Sequence, residues 1–314
     1  MAFGDSRRTL RGRFVYTILG IGELLWDVLP EGARLGGAPA NYSVMAGRLG
    51  DRAAILSRIG RDALGDDALR VLKAFPVDCG QLQLDAEQPT GRVTVQLEDG
   101  QASYIFHRPV AWDFFEPTAA WLSEAARADA VCFGSLAQRC EQSRRTIHAL
   151  VRATRPECRR IFDVNLRAPF YSAEIVRESL NLATVVKLND AETPLVLDLL
   201  GLSAAATLRE SAERLLAEFG GLTLVAITRG GEGSLLVGRS EWDEHPGIST
   251  KVADTIGAGD AFTAAMTHYL LRGAPLATLN EAGNRWGSFV ASRAGAMPEI
   301  GSEELRRITR EIEG

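Results

Sequence analysis

Lysine is scarce in this chain. Of its 35 lysine and arginine residues only Lys73, Lys187 and Lys251 are lysines, and none of the three follows a glycine. The G-x-x-x-x-G-K-[ST] phosphate loop is therefore absent, and any nucleotide must be held by another device. Positive charge is also in deficit: 40 acidic residues outnumber the bases, for a net charge of -5. That balance argues against a dedicated nucleic-acid binder, whose affinity needs clustered cations. The four cysteines, Cys79, Cys132, Cys140 and Cys158, lie far apart and form no C-x-x-C pair. Neither a zinc knuckle nor a disulfide framework is indicated, which fits a reducing, cytoplasmic compartment. No apolar run approaches a membrane span. The N-terminal stretch carries Arg7, Arg8, Arg11 and Arg13 but no apolar core of a signal peptide, and reads as a loose extension or a misassigned start. What remains is a 314-residue chain of ordinary globular composition, 46% hydrophobic and 24% charged, enough for one large domain or two modest ones.

Along that chain, short apolar runs alternate with helical patterns. Phe14 to Gly22 reads as a buried strand, with Glu23 and Asp27 just beyond its end. Its Gly20-x-Gly22 pair lacks the third glycine of a dinucleotide fingerprint, because Leu25 stands there. A turn-rich segment from Asp27 to Gly37 predicts a short hairpin, and Gly36-Gly37-Ala38-Pro39-Ala40-Asn41 opens a helix through Leu49. Ala53 to Gly60 reads as a strand. Gly91 to Leu97 and Ala102 to His107 alternate about Asp99-Gly100, a strong hairpin signal. From residue 120 strands and helices alternate regularly, with strands at Ala130–Gly134, Arg160–Asn165, Thr184–Leu188 and Thr223–Thr228. The pattern predicts an α/β fold, a mostly parallel sheet covered by helices on both faces, with a small β lid. The core is expected to comprise 14–26, 38–90 and 111–314, and the lid 27–37 and 91–110.

The most informative stretch is Asp254-Thr255-Ile256-Gly257-Ala258-Gly259-Asp260, which runs into an apolar helix from Ala261. A helix N-terminus presents unpaired N–H groups and partial positive charge, and glycines let an anion approach them. An Asp beside such an anion hole suits a general base. On its own the stretch equally fits a Gly-rich turn with an Asp N-cap. Asp27, Asn41, Asp163, Asn165, Arg167, Asn189, Glu192, Thr228 and Asp260 all end strands or start helices, and in an open parallel sheet these positions gather at one edge.

With these residues in place, the chain resembles the PfkB family of carbohydrate kinases, the ribokinase-like group, from about Thr17 to Pro298. Gly36–Asn41 is similar to the family's N-terminal signature and Asp254–Asp260 to its C-terminal one. Asn189-x-x-Glu192 is similar to its N-x-x-E motif, and Thr228 to Gly233 to its nucleotide loop. The resemblance implies an ATP-dependent kinase in which Asp260 is the base and the N–H groups of Gly257, Ala258 and Gly259 form the anion hole. It implies that Asp27, Gly37 and Asn41 bind the sugar, and that Thr228, Gly230 and Asn284 line the nucleotide site. Asn189 and Glu192 would organise Mg²⁺ through water, and Arg167 would neutralise charge during transfer. Arg108 is a further candidate for reaching the sugar.

Gly22-Glu23-x-Leu25-x-Asp27, Asp163-x-Asn165-Leu166-Arg167 and Lys187-Leu188-Asn189 resemble the fructokinase branch, so fructose or a related ketohexose is the expected substrate. Ribose, nucleosides, 2-keto-3-deoxygluconate and phosphosugars belong to sister branches, and Arg34 with Arg108 would supply the charge a phosphosugar needs. A K⁺ site is implied near Asp254, Ile256, Arg293 and Gly295, although Glu299 stands where some ribokinases carry a Ser. The rivals are a non-catalytic sugar- or nucleotide-binding regulator, disfavoured by the intact Asp260 and glycine loop, and a Rossmann oxidoreductase, disfavoured by Leu25. No membrane partner is expected, and a homodimer through the lid is.

Overall fold

Strands covered on both faces need apolar residues at successive positions, and the chain supplies such runs as Leu224-Val225-Ala226-Ile227 and Val185-Val186. In the computed structural model, which describes residues 9–10, 13–29, 32–98 and 101–314, these runs join one eight-stranded sheet. Its order is Trp242–His245, Ser234–Gly238, Leu224–Thr228, Val185–Asn189, Arg159–Asp163, Ala130–Gly134, Thr17–Ile21 and Arg52–Leu56. The strands from Leu224–Thr228 to Arg52–Leu56 are parallel, and the last two at the opposite edge are antiparallel.

Adjacent residues on each strand serve opposite faces. Leu19, Phe133, Phe162, Val186 and Val225 point to one core, where the Phe133 and Phe162 rings stack at 5.5 Å. Ile18, Cys132, Ile161, Val185 and Leu224 point to the other. That second face is covered by the helices Ala38–Arg48, Ala258–Leu271 and Leu276–Ala291, through Tyr42, Phe262, Met266 and Trp286. A fully buried side chain of this size contributes about 1.5–3 kcal/mol, so both layers hold the strand ends rigidly. The first strand lies between the second and the third in chain order. Crossovers therefore leave in opposite directions from Thr17–Ile21, and a crevice opens at the C-terminal strand ends beside it.

A second sheet of four strands stands over that edge, in the order Gln101–Phe106, Gly91–Glu98, Leu25–Leu29, Gly32–Gly36. It forms the lid, and its first strand begins at Leu25. Residues 30–31 and 99–100, including the Asp99-Gly100 signal, and the first eight residues lie outside the described residues. The 53–60 run divides at Ser57: Arg52–Leu56 stays in the main sheet, while Arg58–Gly60 pairs with Gln83–Asp85. Several elements were not legible in the sequence, two of them at the periphery of the core. The edge strand Trp242–His245 has little apolar alternation, and the helix Ser302–Glu313 buries only Ile308 and Ile312.

Two kinds of helix start stand out. Asp62, Thr118, Ser172 and Thr207 each cap a helix by accepting a first-turn N–H, which satisfies a donor that would otherwise be orphaned. The helices Ala38–Arg48 and Ala258–Leu271 start instead at Gly37 and Gly257, with φ of 109° and 78° and no side-chain cap. Both open N-termini belong to the two signature segments.

Lid and core are clamped by Arg139. Its guanidinium donates to both carboxylate oxygens of Asp113 at 2.8 and 2.9 Å and to the carbonyl of His107 at 2.9 Å. It lies 3.9 Å from the Trp112 ring centroid. Trp112 is itself fully buried, with its indole tight against Gly91. Of the two roles open to Trp112, stacking on a ligand or packing between lid and core, the structure takes packing. Asp113→Ala would leave a buried guanidinium unpaired. We expect a loss of about 3–5 kcal/mol, read as a lower urea midpoint at unchanged m-value.

Candidate active site

Gly37 permits the first open helix start. A Cβ there would stand 2.4 Å from the Glu23 carbonyl oxygen, in a left-handed conformation that only glycine adopts readily. One turn on, Asn41 is buried and its Nδ2 donates to Asp260 Oδ2 at 2.7 Å. Gly257 permits the second start: a Cβ would stand 2.6 Å from that of Ala296. After it, Ala258 N–H makes only a long 3.3 Å contact to Thr255, and Ala261 N–H is the one that closes back onto Gly257 at 2.9 Å. The N–H groups of the first turn are thus presented outward beside Asp260, as an anion hole requires.

Behind this turn lies a second polar layer. Asp163, which ends its strand, and Lys187, in the middle of the neighbouring one, are both buried and pair at 3.1 Å. Thr263 Oγ1 lies 3.0 Å from the other Asp163 oxygen and 2.9 Å from the Gly259 carbonyl. Burial pushes the Lys187 ammonium down, but Asp163, Glu192 and Asp260 together outweigh it and hold its pKa above the usual lysine value.

The carboxyls at this edge are raised. Asp260 is pushed up to about 6, by burial first and by Asp163 next, against the pull of Asn41, Lys187 and Arg167. Asp27, half-buried on the lid strand, is pushed up to about 6 by burial, with Asp254 adding to it and Arg167 opposing. Glu23 is buried and pushed up to about 7, chiefly by desolvation, with Asp260 also raising it. Its Oε2 and the Oδ1 of Asn41 are buried without a protein partner. Arg167 is exposed, yet its charge bears on Asp27, Glu23 and Asp260 alike.

Asn189 and Glu192 form a reciprocal cap. Asn189 Oδ1 accepts the Glu192 N–H at 2.8 Å, and Glu192 Oε2 accepts the Asn189 N–H at 2.9 Å. Glu192 Oε1 accepts the Leu166 N–H at 2.8 Å, so one carboxylate ties two strand ends together. Each oxygen keeps a further lone pair for a water on a metal ion. Among the described residues no three His, Cys, Asp or Glu side chains converge as a metal-ligand set. The arrangement fits an ion held by water and by the nucleotide's own phosphates, as Mg²⁺ prefers.

Thr228 ends the next strand, and Gly230 follows with φ of 56°. Their loop is held from behind, where Arg229 pairs with Glu244 at 2.5 Å and donates to the His245 carbonyl at 3.0 Å. Asn284 is buried nearby, donating to Ser234 Oγ at 2.7 Å and to the Asn280 carbonyl at 2.8 Å.

Asp254 closes the signature loop. It accepts N–H groups of Ile256 and Gly295, each at 3.0 Å, and pairs with Arg34 of the lid at 3.0 Å. The segments 253–256 and 291–296 are thereby fixed side by side, with Arg293 turned to Glu304 at 3.0 Å. Arg108 is exposed, 5.7 Å from the Phe170 ring centroid.

Two polar side chains of this edge, Lys187 and Glu23, were not selected from the sequence. Each left a signal: a lysine inside an apolar strand of a lysine-poor chain, and an acid directly after a strand-ending glycine.

Comparison with known proteins accords with this geometry. The model of the pfkB family carbohydrate kinase matches residues 31–301. An uncharacterized sugar kinase of Pyrococcus horikoshii is 30% identical over 92% of this chain and 94% of its own. A fructokinase of Escherichia coli is 32% identical over 78% of this chain and 81% of its own. Among solved structures, the Pyrococcus horikoshii protein in complex with ATP has a TM-score of 0.78 at 27% identity, covering 94% of this chain and 99% of that one. Fructokinase from Vibrio cholerae, bound to fructose, ADP and calcium, has a TM-score of 0.79 at 26% identity, again covering 94% and 99%. With its family match spanning most of its length, the chain is an ATP-dependent sugar kinase and belongs to the pfkB family of carbohydrate kinases.

Proposed function

We propose that this kinase phosphorylates fructose or a closely related ketohexose, with Asp260 as the general base. The observation that carries this reading is the Asn41–Asp260 contact at 2.7 Å beside the uncapped helix N-terminus. The sugar lies over Asn41, Gly37 and Asp27, with Arg108 at the lid margin. Its acceptor hydroxyl gives its proton to Asp260 as its oxygen bonds to the γ-phosphorus, and the bond to the ADP oxygen breaks. Negative charge on the transferring group is met by the N–H groups of Gly257, Ala258 and Gly259 and by Arg167. This is the division of labour phosphoryl transfer needs, positioning plus charge stabilisation. ATP lies along Asn189, Thr228, Gly230 and Asn284. Asn189 and Glu192 would hold Mg²⁺ through water, and the bound ion would neutralise phosphate charge.

Support for a ketohexose comes from the relatives named fructokinase and from the engagement of Arg34. That arginine is paired with Asp254 rather than left free for a substrate phosphate. A K⁺ ion held by backbone oxygens near Asp254, Ile256, Arg293 and Gly295 is supported by the close fixing of those two segments. The four free thiols suit a cytoplasmic setting, and Ile105, 43% exposed on the lid, suits a lid-mediated homodimer. The two-part division into the core, 14–26, 38–90 and 111–314, and the lid, 27–37 and 91–110, is retained as part of this reading.

Substrate choice is tested by coupled ADP release with fructose, ribose, adenosine, 2-keto-3-deoxygluconate and fructose 6-phosphate. Fructose is expected to give the highest kcat/KM, and a preference for any of the other four would overturn the assignment. Asp260→Asn is expected to lose about 10²–10⁴-fold in kcat while ATP binding by calorimetry is unchanged. An active, folded variant would refute the role of the base.

The raised carboxyls set the pH dependence. Asp260 must be ionised to accept a proton, so activity is lost as pH falls through its folded value of about 6, and the acid limb of kcat/KM should lie near pH 6 rather than near 4. The sign for stability is opposite. A carboxyl raised from 3.8 to about 6 binds its proton more tightly in the folded chain, so its contribution favours folding at low pH and is lost as pH rises from about 4 through 6. Asp260→Asn should therefore gain stability relative to the parent over that interval, measured by urea denaturation at each pH.

A further inference from the structure

Lys187 occupies an unusual place. It is one of three lysines in the chain, it is buried in the middle of the central strand Val185–Asn189, and its ammonium pairs with Asp163 at 3.1 Å. It lies directly behind the anion-hole turn: a Cβ placed on Gly259 would stand 3.0 Å from Lys187 Nζ. The Gly259 carbonyl and Asp163 are in turn bridged by the Thr263 hydroxyl. Burying an ammonium costs several kcal/mol unless it is paired and hydrogen-bonded. A neutral Gln or Met would fill the same space at less cost, so the charge itself calls for an explanation.

We propose that Lys187 is a positioning residue of the phosphoryl-transfer site, whose ammonium, seated between Asp163 and the back of Gly259, holds Asp260 in its ionised, proton-accepting form. The inference rests on the reading of Asp260 as the base. Asp260 is surrounded by groups from several elements. Asp163 and Glu23 bear negative charge or acquire it, and both oppose ionisation of Asp260. Asn41 donates a hydrogen bond, and Lys187 and Arg167 are the cations that favour the ionised form. Cys132, on the neighbouring strand, stays protonated, with its pKa pushed well up by burial and by these carboxylates. Arg167 is exposed and screened by solvent. Lys187 is buried and is screened far less, so it is the cation with the stronger hold. Its charge is matched by the Asp163 carboxylate 3.1 Å away. Gly259 is glycine for a second reason here: any side chain would press on the ammonium.

The test is the acid limb of kcat/KM against pH at saturating ATP. Lys187→Gln keeps a donor for Asp163 but removes the charge; its limb should move up by about one unit or more, with the activity lost at pH 6 recovered at pH 8. Lys187→Arg should return the limb toward the parent. A purely structural lysine would lower kcat evenly across pH and leave the limb in place. In case the single variant does not fold, Asp163→Asn is compared with Asp163→Asn/Lys187→Met, a pair that leaves no orphan carboxylate. Adding Lys187→Met should again move the limb upward. A folded Lys187→Gln, or the double variant, whose limb coincides with its own reference overturns the proposal. If Asp260→Asn is meanwhile inactive, the base assignment survives and only the role of Lys187 falls. If Asp260→Asn retains its kcat, the base assignment falls first.

Discussion

The hydrogen bond from Asn41 to Asp260 joins two helices that begin 220 residues apart, at Ala38 and Ala258. It spans 2.7 Å and needs both helix N-termini to arrive at the same point of the sheet edge. That convergence depends on the switch point at Thr17–Ile21, where the crossovers part, and on the two cores that fix the layers. It also depends on Gly20, where a Cβ would meet the Pro39 carbonyl at 2.3 Å, so the first helix can settle onto its strand. A shift of either layer by about an ångström would break the contact and misplace Asp260, the proposed base, an effect worth orders of magnitude in rate.

Electrostatics at this edge are balanced by cations of different exposure. Asp260, Asp27 and Glu23 lie in a region partly shut off from water, and burial there makes them resist ionisation. Buried Lys187 and exposed Arg167 offset that resistance. The uncapped helix start adds donors without adding a side chain that could compete with a phosphate. Elsewhere the chain spends Asp, Ser and Thr freely on helix caps. At the site it uses glycines, whose open N–H groups remain available to a ligand.

The lid is tied to this centre by its own side chains. Arg34, on a lid strand, reaches Asp254 of the signature loop. Asp27, opposite Arg34 in the strand register, shares the electrostatic environment of Asp254 and Arg167. On the other flank the Arg139 guanidinium holds the lid's root through Asp113 and the His107 carbonyl. The sugar-facing and phosphate-facing parts of the site are thus connected by charge pairs, which respond to a charged ligand more sharply than apolar packing would.

Much of this was legible in the residues themselves. Apolar runs ended by polar residues marked the parallel strands, since a strand buried on both faces leaves little room for polar alternation. The glycine signature and the missing lysine loop pointed to the proposed phosphate-binding device, because backbone N–H groups need no particular side chain beyond glycine. Local pattern did not reveal Trp242–His245 or Ser302–Glu313, whose membership in the fold rests on backbone pairing with the preceding strand, Ser234–Gly238, and on two buried isoleucines. Nor did it decide between the two roles open to Trp112, or show that Glu192 joins two strand ends and that Lys187 lies behind Gly259. Those are distances between residues remote in sequence. Residue chemistry determined which groups were able to bind, donate or accept; only the tertiary structure decided which of them meet, because burial and proximity, and hence charge coupling, exist only once the strands are side by side.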